Sequence, residues 1–430
     1  MSYAAVAVVA AVITTPWFLG TAESIQLGLA TAGLAFVAGG LTLKSGAGLI
    51  PGAVWPLVGV LLLGASQALS PISGADLETT TGELAPHFVP VSVARSSTRE
   101  TLAVVTLGVL TFLLASQAGV HSASRRVIWW GVAGTAAAFA VAGLVGRLGL
   151  SMQYGFRSTE SEAGLTGGFF ASMNRGHAAE LMNLGLAAVL GLLATGGGRA
   201  AAACGVVIAA GLVVAGSRAG LAAVPVGLLC VGGGLAFLGR RGANGETHPS
   251  AEAGAIFDRQ RARWVVAAGV VTVLGGAAMS LWQFEVEDTT IGRLEESWTS
   301  TFEEQISFRW EHWKDAIGVA GDLPFFGAGL GTHRYATPPY QTEPATSWAT
   351  HADNQYVETL VEGGIAGLFL LAATAIGLFW GVRRAGAAGA GDAVVVAGYA
   401  VGAIAVHGAF DYGITRPPVL LTAAALLGAA

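Results

Sequence analysis

Charge is what this chain has least of: of its 430 residues only 11% are Asp, Glu, Lys or Arg, against 53% hydrophobic side chains and a mean hydropathy of +0.62. Soluble domains carry about 25% charged residues, so a soluble multidomain enzyme is excluded and the bilayer is the solvent. Basic runs are missing as well. A net charge of −5 and a pI near 5.9 leave no electrostatic footprint for DNA or RNA, and nucleic acid is not a partner. Cysteine is nearly absent: Cys204 and Cys230 fall inside apolar runs and read as buried thiols of membrane helices. There is no HExxH, no Asp-x-Asp pair and no Cys/His cluster, so neither metal catalysis nor a cofactor has a motif to rest on. Gly327-x-Gly329-x-Gly331 lacks the spacing of a dinucleotide loop, and Gly216-Ser217-Arg218 is not a nucleophile elbow. Prolines number only 14, and the 63 glycines follow no collagen period, which marks them as close-packing residues of membrane helices.

What the chain has instead is long apolar sequence. A membrane-crossing helix needs about 20 mostly apolar residues. Runs of that kind lie near 3–20, 25–43, 50–70, 101–120, 127–146, 177–195, 264–282, 355–380 and 393–410. Residues 200–238 form two more, turning back at Ser217 and Arg218, and the shorter run 418–430 makes a last span. The expected fold is an all-α integral membrane protein of about twelve transmembrane helices, the first of them uncleaved. It divides into residues 1–282 with about nine helices, a loop at 283–353, and residues 354–430 with about three, all within one membrane domain. Alternating the spans collects Lys44, Arg125, Arg126, Arg199, Arg240, Arg241, Arg259, Arg261, Arg263, Arg383 and Arg384 on one side. Only Glu246, Glu252, Asp258 and Asp392 accompany them as acids. Short basic loops stay in the cytoplasm, which puts both termini inside and the loop at 283–353 outside.

That outer loop is far longer than an ordinary connection. It holds Trp298, Trp310, Trp313, Trp348, Tyr335, Tyr340, Arg293, Arg309, Lys314 and Arg334. Ile306, Trp310, Trp313 and Ile317 recur at helical spacing, the pattern of a surface helix lying against the membrane, or of interfacial anchors. Four segments at the outer face carry polar groups that apolar packing does not require: Gly167 to His177, leading to Glu180 and Asn183; Gly216 to Gly220 around Arg218; Phe308 to Ala316 with the following Pro324 to Gly331; and His351 to Gly367.

Taken in this order, the four segments resemble the O-antigen ligase and polymerase superfamily of bacterial envelope glycosyltransferases. The serine-arginine turn is similar to the family's outer-face arginine, and the Arg309 helix with its glycine stretch is similar to its large loop. Phe-x-x-x-Asn ending at Asn174 matches another block, and Asn354 to Gly367 matches the terminal signature. The resemblance spans roughly residues 165–415. One position departs: the signature histidine directly before Asn354 is replaced by Asp353, and the nearest histidine is His351. His351 can substitute only where the chain is irregular, because residues two apart on a helix point to different sides; Asp353 is itself a competent base once positioned, and a degenerate site is the third alternative.

The resemblance implies transfer of a glycan from a polyprenyl-diphosphate carrier to an acceptor hydroxyl at the outer leaflet of the cytoplasmic membrane. The acceptor is lipid A core of lipopolysaccharide, another repeat unit or a protein hydroxyl, and ligase and polymerase share these motifs. Asp353 or His351 is the candidate catalytic base, and Arg218 and Arg309 are the candidate diphosphate ligands, since guanidinium makes paired hydrogen bonds to phosphate. Asn174, His177, Arg334, Asn354 and Glu358 are candidate cavity residues. Each has an ordinary structural reading too: Arg218 as an interfacial arginine, Arg309 paired with Glu304 or Glu311, Asp353 as a helix cap, Asp411 paired with Arg416. Glu358 and Glu362 stand in or near a span, where bare carboxylates are costly, and are expected to face a cavity or an arginine. The rivals are a transporter or flippase for lipid-linked glycan and an inactive glycan-binding relative.

Overall fold

The computed structural model of the protein describes residues 3–18, 52–72, 88–147, 168–170, 173–243, 302–342 and 350–430. Over these residues it is an all-α integral membrane protein whose one departure from helix is a small antiparallel ribbon. The elements in chain order are α1 (Tyr3–Phe18), α2 (Val54–Leu69), α3 (Arg95–Gly119), α4 (Ser122–Arg147), β1 (Gly168–Phe170), β2 (Met173–Asn174), α5 (Arg175–Ala194), α6 (Gly198–Ala215), α7 (Arg218–Ala243), α8 (Phe302–Asp322), α9 (His333–Ala336), α10 (Gln355–Ala387), α11 (Gly391–Gly408) and α12 (Pro417–Ala429). Among them α3, α4, α5, α6, α7, α10 and α11 make seven helices long and apolar enough to cross a bilayer, and α1, α2 and α12 are shorter apolar helices. The expected spans near 25–43 and 264–282 lie outside the described residues, as does the expected boundary at 282/283.

Bare apolar residues such as Trp55, Leu62, Leu229, Phe369 and Phe379 stand on the surface, as lipid-facing helices require. Cys204 is half-buried and Cys230 exposed, both free. The expectation of buried thiols is therefore corrected: a helix face that meets lipid tails carries a thiol without protein burial. Inside the bundle, glycines set the spacing. A Cβ on Gly227 would sit 2.9 Å from the Tyr399 ring, and one on Gly402 would sit 2.8 Å from Cys230 Sγ, so α7 and α11 approach almost backbone to backbone.

Helix direction sorts the charges. Arg125 at the start of α4 bonds Asp392 at the start of α11 at 3.0 Å, and its other Nη donates to the Gly119 carbonyl at the end of α3. A Cβ on Gly119 would touch the backbone of Ala429, which brings the end of α12 to the same place. The starts of α3, α5, α7, α10 and α12 and the end of α11 are consequently gathered at the opposite end of the bundle.

At that opposite end α10 is broken. Gly364 has φ 60 and ψ −157, and the loop after α8 is hydrogen-bonded into the gap. Ala328 N donates to Val361 O at 2.8 Å and Gly329 N to Glu362 O at 3.0 Å, while Ile365 N and Ala366 N reach Pro324 O and Phe325 O. Gln67 of α2 completes the joint: its Nε2 donates to Phe326 O and Glu362 O, and its Oε1 accepts from Leu330 N. Val361 O, Glu362 O, Ile365 N and Ala366 N thus find partners across the break, the condition for irregular backbone in a membrane protein.

The joint leaves room for no side chain. A Cβ on Gly327, itself at φ 68, would lie 2.4 Å from Glu362 C, and one on Gly364 would lie 2.5 Å from Phe325 C. Gly364→Ala combines a left-handed φ with a backbone clash and should cost roughly 2 kcal/mol or more. Gly381→Ala, whose Cβ meets nothing within 4 Å, is the control. Thermal unfolding in detergent should show a clear drop for Gly364→Ala and none for Gly381→Ala; equal midpoints would contradict the joint.

Candidate functional site

The site begins where α10 begins. Asn354 caps the helix, its Oδ1 accepting from Tyr356 N at 2.9 Å and Val357 N at 3.1 Å. Just before it the chain is irregular, with Asp353 at φ 48. That turn brings His351 back over the first turn of the helix, where its Nδ1 meets Glu358 Oε1 at 2.7 Å, and Glu358 Oε2 accepts from Ala352 N. Helix α8 holds the segment from the other side: His312 Nε2 donates to His351 O at 3.1 Å and Trp313 Nε1 to Ala352 O at 2.7 Å.

His351 has a third neighbour. Arg416 Nη2 lies 3.1 Å from its Nε2. A guanidinium has only donors, so Nε2 accepts and Nδ1 carries the hydrogen given to Glu358. The imidazole stacks on the Tyr412 ring, centroids 3.8 Å apart and planes 12° from parallel, and Arg416 also donates to Tyr412 Oη at 3.0 Å. Burial, with the Arg416 charge adding to it, pushes His351 down to about 3 from its ordinary 6.5.

Tyr412 is held by Asp411. The Asp411 carboxylate accepts from Tyr412 N at 2.7 Å, and faces His177 Nε2 of α5 and His407 Nε2 of α11, each at 3.2 Å. Burial raises the Asp411 carboxyl, but these two histidines outweigh it and hold it below the usual carboxylate range. His177 also meets the Tyr412 ring edge-on, centroids 4.7 Å apart. The Asp411 carbonyl accepts from Gln355 N, locking this segment to the head of α10.

The second glutamate of α10 serves the other loop. Glu362 Oε1 accepts from His333 N at 3.2 Å, and backbone groups at Gly331 and Thr332 also bond its carboxylate. His333 packs against His312, ring centroids 5.4 Å apart, with the Thr350 backbone beside its ring. Burial pushes His333 down to about 3.

These bonds tie together His351, Glu358, Asn354 and His177. Arg309 of α8 joins through Nη1 to Phe410 O at 3.2 Å, and its charge opposes the burial that raises Asp353. Glu311 pairs with Lys314 instead. Arg334 is exposed on α9 beside Tyr335, and its charge reaches His351. Asn174 caps α5 through Gly176 N. Arg218 heads α7 at the same end of the bundle; its turn is tied to α5 by Asn183, which donates to Gly220 O at 2.9 Å. One structural expectation is corrected. Asp411 faces two histidines rather than Arg416, because Arg416 is drawn to His351 and Tyr412. Glu358 meets His351, with the Arg416 charge acting on it, and Glu362 meets loop N–H groups. Sequence reasoning missed Arg416, Tyr412, His407 and Gln67. A lone amide in the apolar run 50–70 and a cation beside the Pro417-Pro418 helix start were the available signals.

Comparison with known proteins gives one family match: the model described as O-antigen ligase matches residues 203–372, which supports the O-antigen ligase and polymerase superfamily. The matched stretch contains Arg218, Arg309, His351, Asp353 and Glu358, and ends before Asp411 and Arg416. No individually curated protein matches the chain.

The two low-titrating histidines set a pH dependence. Folded His333 and His351 stay neutral down to about 3, whereas both protonate near 6.5 once unfolded. At these two positions the unfolded chain therefore binds more protons between those values, so the stability they contribute is present above about 6.5 and falls as pH drops through that window. Measured against the parent protein, His333→Gln should remove part of this contribution, so that its thermal midpoint falls less, or rises more, between pH 7 and pH 5; a pH dependence untouched by the substitution would contradict the neutral buried imidazole.

Proposed function

We propose, from the match of residues 203–372 to the family model described as O-antigen ligase, that the protein is an inverting, metal-independent glycosyltransferase of that type. Its donor is a polyprenyl-diphosphate-linked glycan and its acceptor a hydroxyl of a glycan or glycolipid at the outer face of the inner membrane. The observation that carries this reading is the Glu358–His351 pair beside arginines. Glu358 fixes Nδ1–H, which leaves the Nε2 lone pair as the basic site, the division of labour by which a carboxylate orients a catalytic histidine. His351 is preferred to Asp353 as the base on this ground, and the irregular chain at 350–354 supplies the condition under which it takes the signature position.

The step is a single displacement. The acceptor oxygen gives its proton to Nε2 and bonds the anomeric carbon. The bond from that carbon to the diphosphate oxygen breaks, its electron pair leaving on the diphosphate. Arg309 and Arg218 hold the charge that grows there, the work an ion would otherwise do. With no intermediate nucleophile, the configuration inverts.

Orientation is supported by the charges. Arg125, Arg126, Arg199, Arg383 and Arg384 belong to the helix ends remote from His351, and the positive end of such a bundle is cytoplasmic. On this reading the site and the loop at 283–353 face outside, and both termini face inside. Ligase and polymerase share this chemistry and differ in the acceptor.

Purified protein with lipid-linked glycan and acceptor should form the new linkage. His351→Gln and Arg309→Ala should each lower the rate by about 100-fold or more. Substrate counterflow in sealed vesicles with no new linkage would instead establish a transporter, and full activity in His351→Gln would remove it as the base.

A further inference from the structure

Arg416 is poorly satisfied where it rests. Its guanidinium touches a neutral imidazole and a phenol, stands over the Tyr412 ring at 4.9 Å, and leaves Nε buried with no hydrogen-bond partner among the described residues. Among the described residues no carboxylate forms an ion pair with it. It also blocks the very lone pair on His351 that proton transfer needs. A guanidinium bonded to an anionic phosphate gains roughly twice what it gains from a neutral acceptor, so a diphosphate entering beside it is the stronger partner.

We propose that Arg416 is a latch on the base: in the empty site it occupies Nε2 of His351, and the donor's diphosphate draws it away and opens that nitrogen to the acceptor hydroxyl. The inference rests on the glycosyltransferase reading and adds a third diphosphate ligand and an order of events. While latched, His351 is a weak base, because its burial is compounded by a guanidinium nitrogen 3.1 Å from Nε2. Once Arg416 moves to the diphosphate, the same nitrogen strengthens as the acceptor proton arrives, and the guanidinium stands where the leaving electron pair goes. The acceptor is thus activated only with the donor in place. The other groups that face His351 are Glu358 on α10, Asp353 before it, Arg334 and His333 on α9, His312 on α8, and Asp411 and Tyr412 beside Arg416; none of them occupies Nε2.

The test follows the His351 titration by nitrogen NMR of the full chain in nanodiscs, labelled at histidine and assigned with His351→Gln. Farnesyl diphosphate is the probe. Adding it to the unsubstituted protein should raise the His351 titration by about one pH unit or more, and Arg416→Gln should do the same without ligand. Arg416→Lys, which keeps a cation, should titrate low. The proposal is overturned if farnesyl diphosphate leaves the titration unmoved, if Arg416→Gln titrates like the parent, or if the Lys and Gln variants titrate alike. Transfer is not measured here, so a failure of the glycosyltransferase reading shows in the transfer assay and a failure of the latch shows in this one.

Discussion

Two glutamates one turn apart on a broken membrane helix hold this end of the molecule together. Glu358 binds His351 and Ala352 N, and Glu362 binds the loop at 331–333, so the loop segments on either side of α9 are anchored to one helical face. Carboxylates at such depth are expensive unless they are satisfied, and their cost is offset only if both loops are docked. The break at Gly364 makes this possible, because it turns the carbonyls of Val361 and Glu362 outward to the glycine loop that carries His333. Helix break, loop and histidine are one structure.

The second element is a ladder of contacts from α5 and α11. His177 and His407 hold Asp411, Asp411 holds Tyr412, and Tyr412 is the flat surface on which His351 lies. Membrane helices thereby fix the orientation of an imidazole that belongs to a loop, the kind of support that a reacting group needs. Arg309 approaches from α8 and Arg416 from the start of α12, and both bring positive charge to a place where Asp353, Glu358 and Asp411 already gather.

The helices were readable because hydropathy is a local property: apolar runs ending at Gly119, Ala194, Ala215 and Gly408 coincide with helices within a few residues. The turn at Ser217–Arg218 was readable for the same reason. Asn354 as a cap was legible from its place before an apolar run. What local pattern does not contain is pairing across distance. Gln67 meets Glu362 from 295 residues away, and Arg416 meets His351 from 65. Arg416 therefore looked like the natural partner of nearby Asp411, whereas two histidines from other helices had already taken that carboxylate. The choice between Asp353 and His351 turned on a single left-handed residue that no periodicity encodes.

The central claim is that Glu358 and His351 act as one unit in proton transfer, and a double-mutant cycle on the transfer rate tests it most directly. If Glu358 works by holding Nδ1–H of His351, then Glu358→Gln made in the His351→Gln background should cost almost nothing beyond the single change. Losses that multiply, each substitution costing as much in the double variant as alone, would mean that the two side chains work separately and would contradict the account.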